Sequence, residues 1–84
     1  MDIELQKFLL RVLGALGTVG ATTDYLYQQA HGQSWPQLSK PDLEAHLLVL
    51  ANHRFVISYE PPMQAKRWKI TPDGEVQLRV LGFA

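Results

Sequence analysis

The apolar and polar positions change period along the chain, and the changes mark out its elements. Over residues 2–16, Ile3, Leu5, Phe8, Leu9, Val12, Leu13 and Leu16 recur at helical spacing and form a wide apolar stripe. Gly14, Gly17 and Gly20 then punctuate the chain and predict the end of that helix. Thr22 or Thr23 suits the N-cap of a second, short helix, with Asp24 in its first turn. That helix should run to about Ala30 or His31, with Tyr25, Leu26 and Ala30 facing inward and Gly32 in the left-handed position just past its end. Ser34-Trp35-Pro36-Gln37 reads as a turn. Ser39, with Pro41 behind it and Asp42 three residues on, opens a third helix that reaches about His53. Leu43, Leu47 and Leu50 mark its inner face, with His46 at the border.

Beyond His53 the helical period is lost. Phe55 to Tyr59 is rich in β-branched and aromatic residues, as strands are, and Pro61-Pro62 stops it. Lys66 to Ile70 can return as a second strand, with Trp68 and Ile70 on one face and Arg67 and Lys69 on the other. Thr71, followed by Pro72 at the first helical position, starts a last short helix through Val76, Leu78 and Leu81. The fold class is therefore mainly α with a small β-hairpin. With no repeat, linker or low-complexity tract, residues 1–84 read as a single domain.

At this point the chain resembles the winged-helix families of bacterial and phage regulators, such as the MarR, PadR and ArsR types. Three stretches between residues 21 and 75 carry the likeness. They are Ala21-Thr22-Thr23-Asp24-Tyr25-Leu26, Leu43 to Val56, and the strand-to-helix junction Trp68-Lys69-Ile70-Thr71-Pro72-Asp73-Gly74-Glu75. The resemblance implies the order helix, helix, helix, strand, wing, strand, helix. It makes the third helix the one that reads the major groove and residues 60–67 the wing. His53-Arg54 stands where many such proteins place a glycine, which predicts a turn tighter or longer than usual. Winged helices also serve as protein-docking modules, so the likeness speaks for fold more than for function.

Charge works against the simplest reading of that likeness. The 84 residues carry 8 Lys and Arg against 8 Asp and Glu, whereas nucleic-acid binders usually have a basic excess. Residues 1–49 hold Lys7, Arg11 and Lys40 against Asp2, Glu4, Asp24, Asp42 and Glu44. The later residues hold Arg54, Lys66, Arg67, Lys69 and Arg79 against Glu60, Asp73 and Glu75. The candidate contacts of the third helix are Ser39, Lys40, Asp42, Glu44, Ala45 and Val49, which supply one lysine and two acids where base readers usually bring Arg, Lys, Asn or Gln. The wing candidates, Gln64, Lys66, Arg67 and Lys69, suit phosphate oxygens better. They equally suit the charged guarding of an exposed strand.

Composition removes several other classes. The absence of cysteine excludes disulfides and thiolate metal sites and is compatible with a reducing compartment. Asp2 and Glu4 precede the apolar residues of the first helix, and Gln6, Lys7 and Arg11 interrupt them, so the segment does not read as a signal peptide. No stretch approaches the roughly 20 apolar residues of a membrane span. A soluble, cytoplasmic domain is the expectation. His31, His46 and His53 invite a metal site, and Asp42 and His46 share a helix face, yet a third ligand at a convincing spacing is missing. There is no glycine-rich phosphate loop and no serine–histidine motif, so neither a cofactor nor catalysis is expected. Leu5, Leu9, Leu81 and Phe83 are candidates for a two-fold homodimer interface, as in the regulators the chain resembles. The leading expectation is a dimeric regulator of transcription that binds double-stranded DNA. The alternative is a winged-helix module for protein interaction or assembly, favoured by the neutral charge and by Leu48 and Val49 as outward apolar positions.

Overall fold

In a computed structural model that describes residues 3–82, the apolar stripe of the first segment forms helix α1 (Ile3–Leu16). Its buried residues are Leu5, Leu9, Leu10 and Leu13. Gly14 lies inside this helix rather than ending it. The chain leaves through a 3-10 turn, Gly17–Val19, and then Gly20 at φ 68°. A side chain at Gly20 would meet the carbonyl oxygen of Trp68, so this position needs glycine for space as well as for backbone angle.

A two-residue strand, β1 (Ala21–Thr22), follows; it carries no periodic signal and was not expected. Helix α2 (Thr23–Gln33) starts at Thr22, whose side chain accepts from the backbone of Tyr25. It passes the expected stop at His31 and keeps Gly32 within the helix. Tertiary contacts carry it past that glycine. His31 reaches the carbonyl of Leu38 at 2.8 Å, and Trp35 packs on Phe8 with ring centroids 5.2 Å apart. The backbone amides of Ser34 and Trp35 both return to the carbonyl of Ala30, and Pro36 prevents continuation. Ser39 caps helix α3 (Lys40–Asn52) by accepting from Asp42, with Pro41 in the first turn, as the sequence predicts.

Strands β2 (Val56–Tyr59) and β3 (Arg67–Ile70) form the predicted antiparallel hairpin, each one residue shorter at its start than expected. β1 adds on the other side of β3, giving a sheet order β1-β3-β2. Ser58 and Ala21 therefore flank Trp68 from opposite sides. Helix α4 (Pro72–Val80) closes the fold.

One core serves all elements: leucines of α1 and α3, Leu26 and Ala30 of α2, Val56, Trp68 and Ile70 of the sheet, and Leu78 of α4. Leu5 and Leu9 are 1% and 0% exposed within it. This corrects their assignment to a dimer interface. The α1 stripe is wide because it faces α3, β3 and α4 at once, so those side chains have no surface left to offer a second copy. Leu81 is half-buried against the same core, and Phe83 lies outside the described residues.

The junction between α3 and β2 explains the missing glycine. Arg54 occupies the left-handed region at φ 63°. Its amide returns to Ala51 at 2.9 Å, and that of Phe55 to Leu50 at 3.0 Å, the paired bonds of a Schellman helix end. The turn keeps the geometry that glycine would give and forces arginine into it. Thr71 locks this turn to the start of α4: its hydroxyl donates to the carbonyl of Arg54 and accepts from Gly74, while its amide donates to Phe55.

Two stability predictions follow from these backbone positions. Arg54→Gly should raise the unfolding free energy by about 0.5–1 kcal/mol, because the left-handed conformation then carries no Cβ penalty; an unchanged or lower urea midpoint would contradict it. Gly74→Ala, a substitution that ordinarily helps a helix by about 1 kcal/mol, should here destabilise by about 1–3 kcal/mol. The added Cβ would meet the carbonyl oxygen of Phe55 and press on Ile70. The same denaturation measurement decides the sign.

Candidate nucleic-acid interface

Two charged segments were singled out in the sequence, and the fold treats them differently. At the start of α3 the Ser39 cap leaves Lys40, Pro41, Asp42, Glu44 and Ala45 exposed. The Lys40 ammonium lies 2.6 Å from the Asp24 carboxylate on α2 and 5.7 Å from the centre of the Tyr27 ring. The hydrogen bond to Asp24, and then its charge, raise the Lys40 pKa above that of an ordinary lysine. The pair is solvent-exposed, so water and salt screen it. Its main effect is to neutralise the lone lysine of this surface, while Asp42 and Glu44 have no salt-bridge partner among the described residues. Val49, expected to face outward, is half-buried; it sits one turn beyond His46 on the border stripe. Leu48 is the outward apolar residue, at 53% exposure.

The second segment is the β2–β3 hairpin. Alternation along β3 buries Trp68 and Ile70 and leaves Arg67 and Lys69 half-buried on the opposite face, as predicted. The Lys69 ammonium stands 5.2 Å from the centre of the Tyr59 ring, and that of Lys66 stands 5.0 Å from the Trp68 ring. Such cation–π contacts hold a lysine in place without neutralising its charge. Gln64 is exposed on the loop between the strands.

Arg67 has a structural engagement that spacing could not reveal. Its Nε donates to the carbonyl of Val19 and its Nη2 to that of Gly20, both at 3.3 Å. Tyr59 donates its hydroxyl to the same Val19 carbonyl at 3.0 Å. Hairpin and 3-10 turn are thus clamped together, which holds β1 against β3. Among the described residues no carboxylate reaches Lys66, Arg67 or Lys69, whereas Lys7 and Lys40 pair with Glu4 and Asp24. The hairpin therefore carries a short run of cations whose charge is not cancelled locally.

The partners of Asp24 and Tyr59 are what sequence reasoning missed. Asp24 was legible as a helix-start acid but not as the partner of Lys40, 16 positions along the chain. The register that puts Tyr59 opposite Arg67 is set by the sheet. The histidines do not converge: His31 contacts a backbone carbonyl, His46 lies 3.3 Å from the Gln6 amide, and His53 stacks on Phe55. Among the described residues no three His, Asp or Glu side chains are grouped to hold a metal ion, and no helix is long and apolar enough to cross a membrane.

Compared with family models, with curated proteins and with solved structures, the chain has no match.

The Arg67 clamp can be tested directly. Arg67→Lys keeps the charge but lacks the fork that spans two carbonyls, so it should cost about 1–2 kcal/mol of stability. It should also speed amide exchange in Ala21 and Thr22. Wild-type exchange there would show that the clamp does not hold β1.

Proposed function

We propose that the chain is a winged-helix domain that binds duplex DNA as a small transcriptional regulator. In this reading the β2–β3 hairpin is the wing and α3 lies along the major groove. The carrying observation is the run Lys66, Arg67 and Lys69, which has no carboxylate partner among the described residues and lies at the start of and along the central strand of a three-stranded sheet. The order α1-β1-α2-α3-β2-β3-α4 accords with the reading. Lys66 and Lys69 supply the phosphate contacts, and Arg67 holds the wing in position. Asp42 and Glu44 suit acceptance from cytosine amino groups, while Lys40 can exchange Asp24 for a phosphate at little cost because that pair is exposed.

A second reading, a protein-docking module, draws on a different observation. Pro41, Ala45 and Leu48 follow one another along the exposed side of α3, between the acids Asp42 and Glu44. This surface is less suited to a polyanion than to an apolar partner.

Duplex affinity measured against salt separates the two. With about three phosphate contacts, log K should fall against log salt with a slope near −3, and Lys66→Ala with Lys69→Ala should flatten it to about −1. Affinity at low salt should drop about tenfold or more, while the fold loses no more than the two cation–π contacts, about 1–2 kcal/mol. No duplex binding by the wild-type chain at low salt would reject the DNA reading.

A further inference from the structure

The tip of the β2–β3 loop holds the most exposed of the large hydrophobic side chains described. Met63 is 105% exposed, while its backbone sits in the left-handed region at φ 59°. The loop Pro61-Pro62-Met63-Gln64 closes with the Gln64 amide donating to the Pro61 carbonyl at 3.1 Å. Proline in the second position and a left-handed residue in the third are the pattern of a type II turn, whose third position favours glycine or asparagine. Methionine there is strained and buries nothing in the fold. Two consecutive prolines fix their own backbone angles and restrict the residues before them, so the tip is stiff.

The surroundings are asymmetric in charge. Lys66 follows the tip on the β3 side and the exposed amide of Gln64 lies beside it; Glu60 is the sole carboxylate between Tyr59 and Ile70. A bare, unbranched apolar side chain is therefore carried on a rigid turn next to cations that no described carboxylate neutralises.

We propose that Met63 is an apolar wedge that enters the minor groove and opens a base step, while Lys66 and Lys69 hold the flanking phosphates. The inference rests on the DNA-binding reading and deepens it. Residues held in left-handed backbone cluster at ligand clamps and other functional sites, so the outlier at Met63 points to a partner. Proteins that bend DNA insert side chains of this apolar kind between base pairs, and pyrimidine–purine steps such as TA open most readily. The wedge thus gives the wing a preference for deformable sequence without any hydrogen bond to a base edge.

The experiment compares affinity for two duplexes of equal length, one of repeated TA steps and one of G·C pairs only. The wild-type chain should favour the TA duplex by about five- to tenfold. Met63→Gln, similar in length but polar, should abolish the preference while keeping the salt slope, and Met63→Leu should retain it. Met63→Gly should also lose the preference yet melt at a higher temperature, because the left-handed residue no longer carries a Cβ; a lower melting temperature would refute the strain. If Met63→Gln keeps the preference, or the wild type binds both duplexes equally, the wedge is wrong while the phosphate contacts stand. If Lys66→Ala with Lys69→Ala leaves affinity for both duplexes unchanged, the phosphate contacts are wrong. Absence of wild-type binding to either duplex overturns both readings.

Discussion

The fold depends on the burial of one indole in its central strand. Trp68 is 1% exposed, lies between β1 and β2, and donates its Nε1 hydrogen to the Thr23 hydroxyl at 2.9 Å. A side chain of this size supplies much of the core of so small a domain, and its polar end needs a partner once buried. Thr23 begins α2, so the same residue that fills the sheet's inner face fixes the first turn of a helix. The close approach of Gly20 to the Trp68 carbonyl follows from this arrangement, as does the clamp that Arg67 places on the Val19 and Gly20 carbonyls. Position 68 organises the interior, and its neighbours on either side organise the surface.

That alternation divides labour among the charges. On β3, one face belongs to the core and the other carries Lys69, fastened by the Tyr59 ring, and Arg67, fastened by backbone carbonyls rather than by acids. On α3 the single lysine at the helix start is paired, and the acids beside it are exposed. A net charge of zero therefore conceals an uneven surface. Local neutralisation, not the total, decides where an anionic partner would be drawn, because exposed charges act over only about 10 Å in salt.

Two non-glycine residues occupy left-handed backbone, and their settings differ. Arg54 is held by the Schellman bonds and by the Thr71 hydroxyl, so the fold compensates its strain. Met63 has only the turn bond across it and projects into solvent. The first position is strain absorbed by packing. The second is strain at a tip, which the interior does not need.

Much of this was legible in the residues themselves. The apolar period located α1 and α3, Ser39 and Thr71 marked the starts of α3 and α4, and β-branched and aromatic runs located the hairpin. These signals are local: a cap reaches three residues, and an apolar stripe repeats every turn. Local signals failed where distant residues decided the outcome. Gly32 stayed helical because Leu38 and Phe8 anchor its neighbours. β1 exists because β3 offers it a backbone edge, and Leu5 and Leu9 became core rather than interface because three elements close over α1. Of the candidate site, the sequence by itself determined which residues are cationic and which strand carries them. Only the tertiary structure decided which charges are cancelled, since the contacts of Lys40 with Asp24 and of Arg67 with Val19 join segments that chain spacing does not relate.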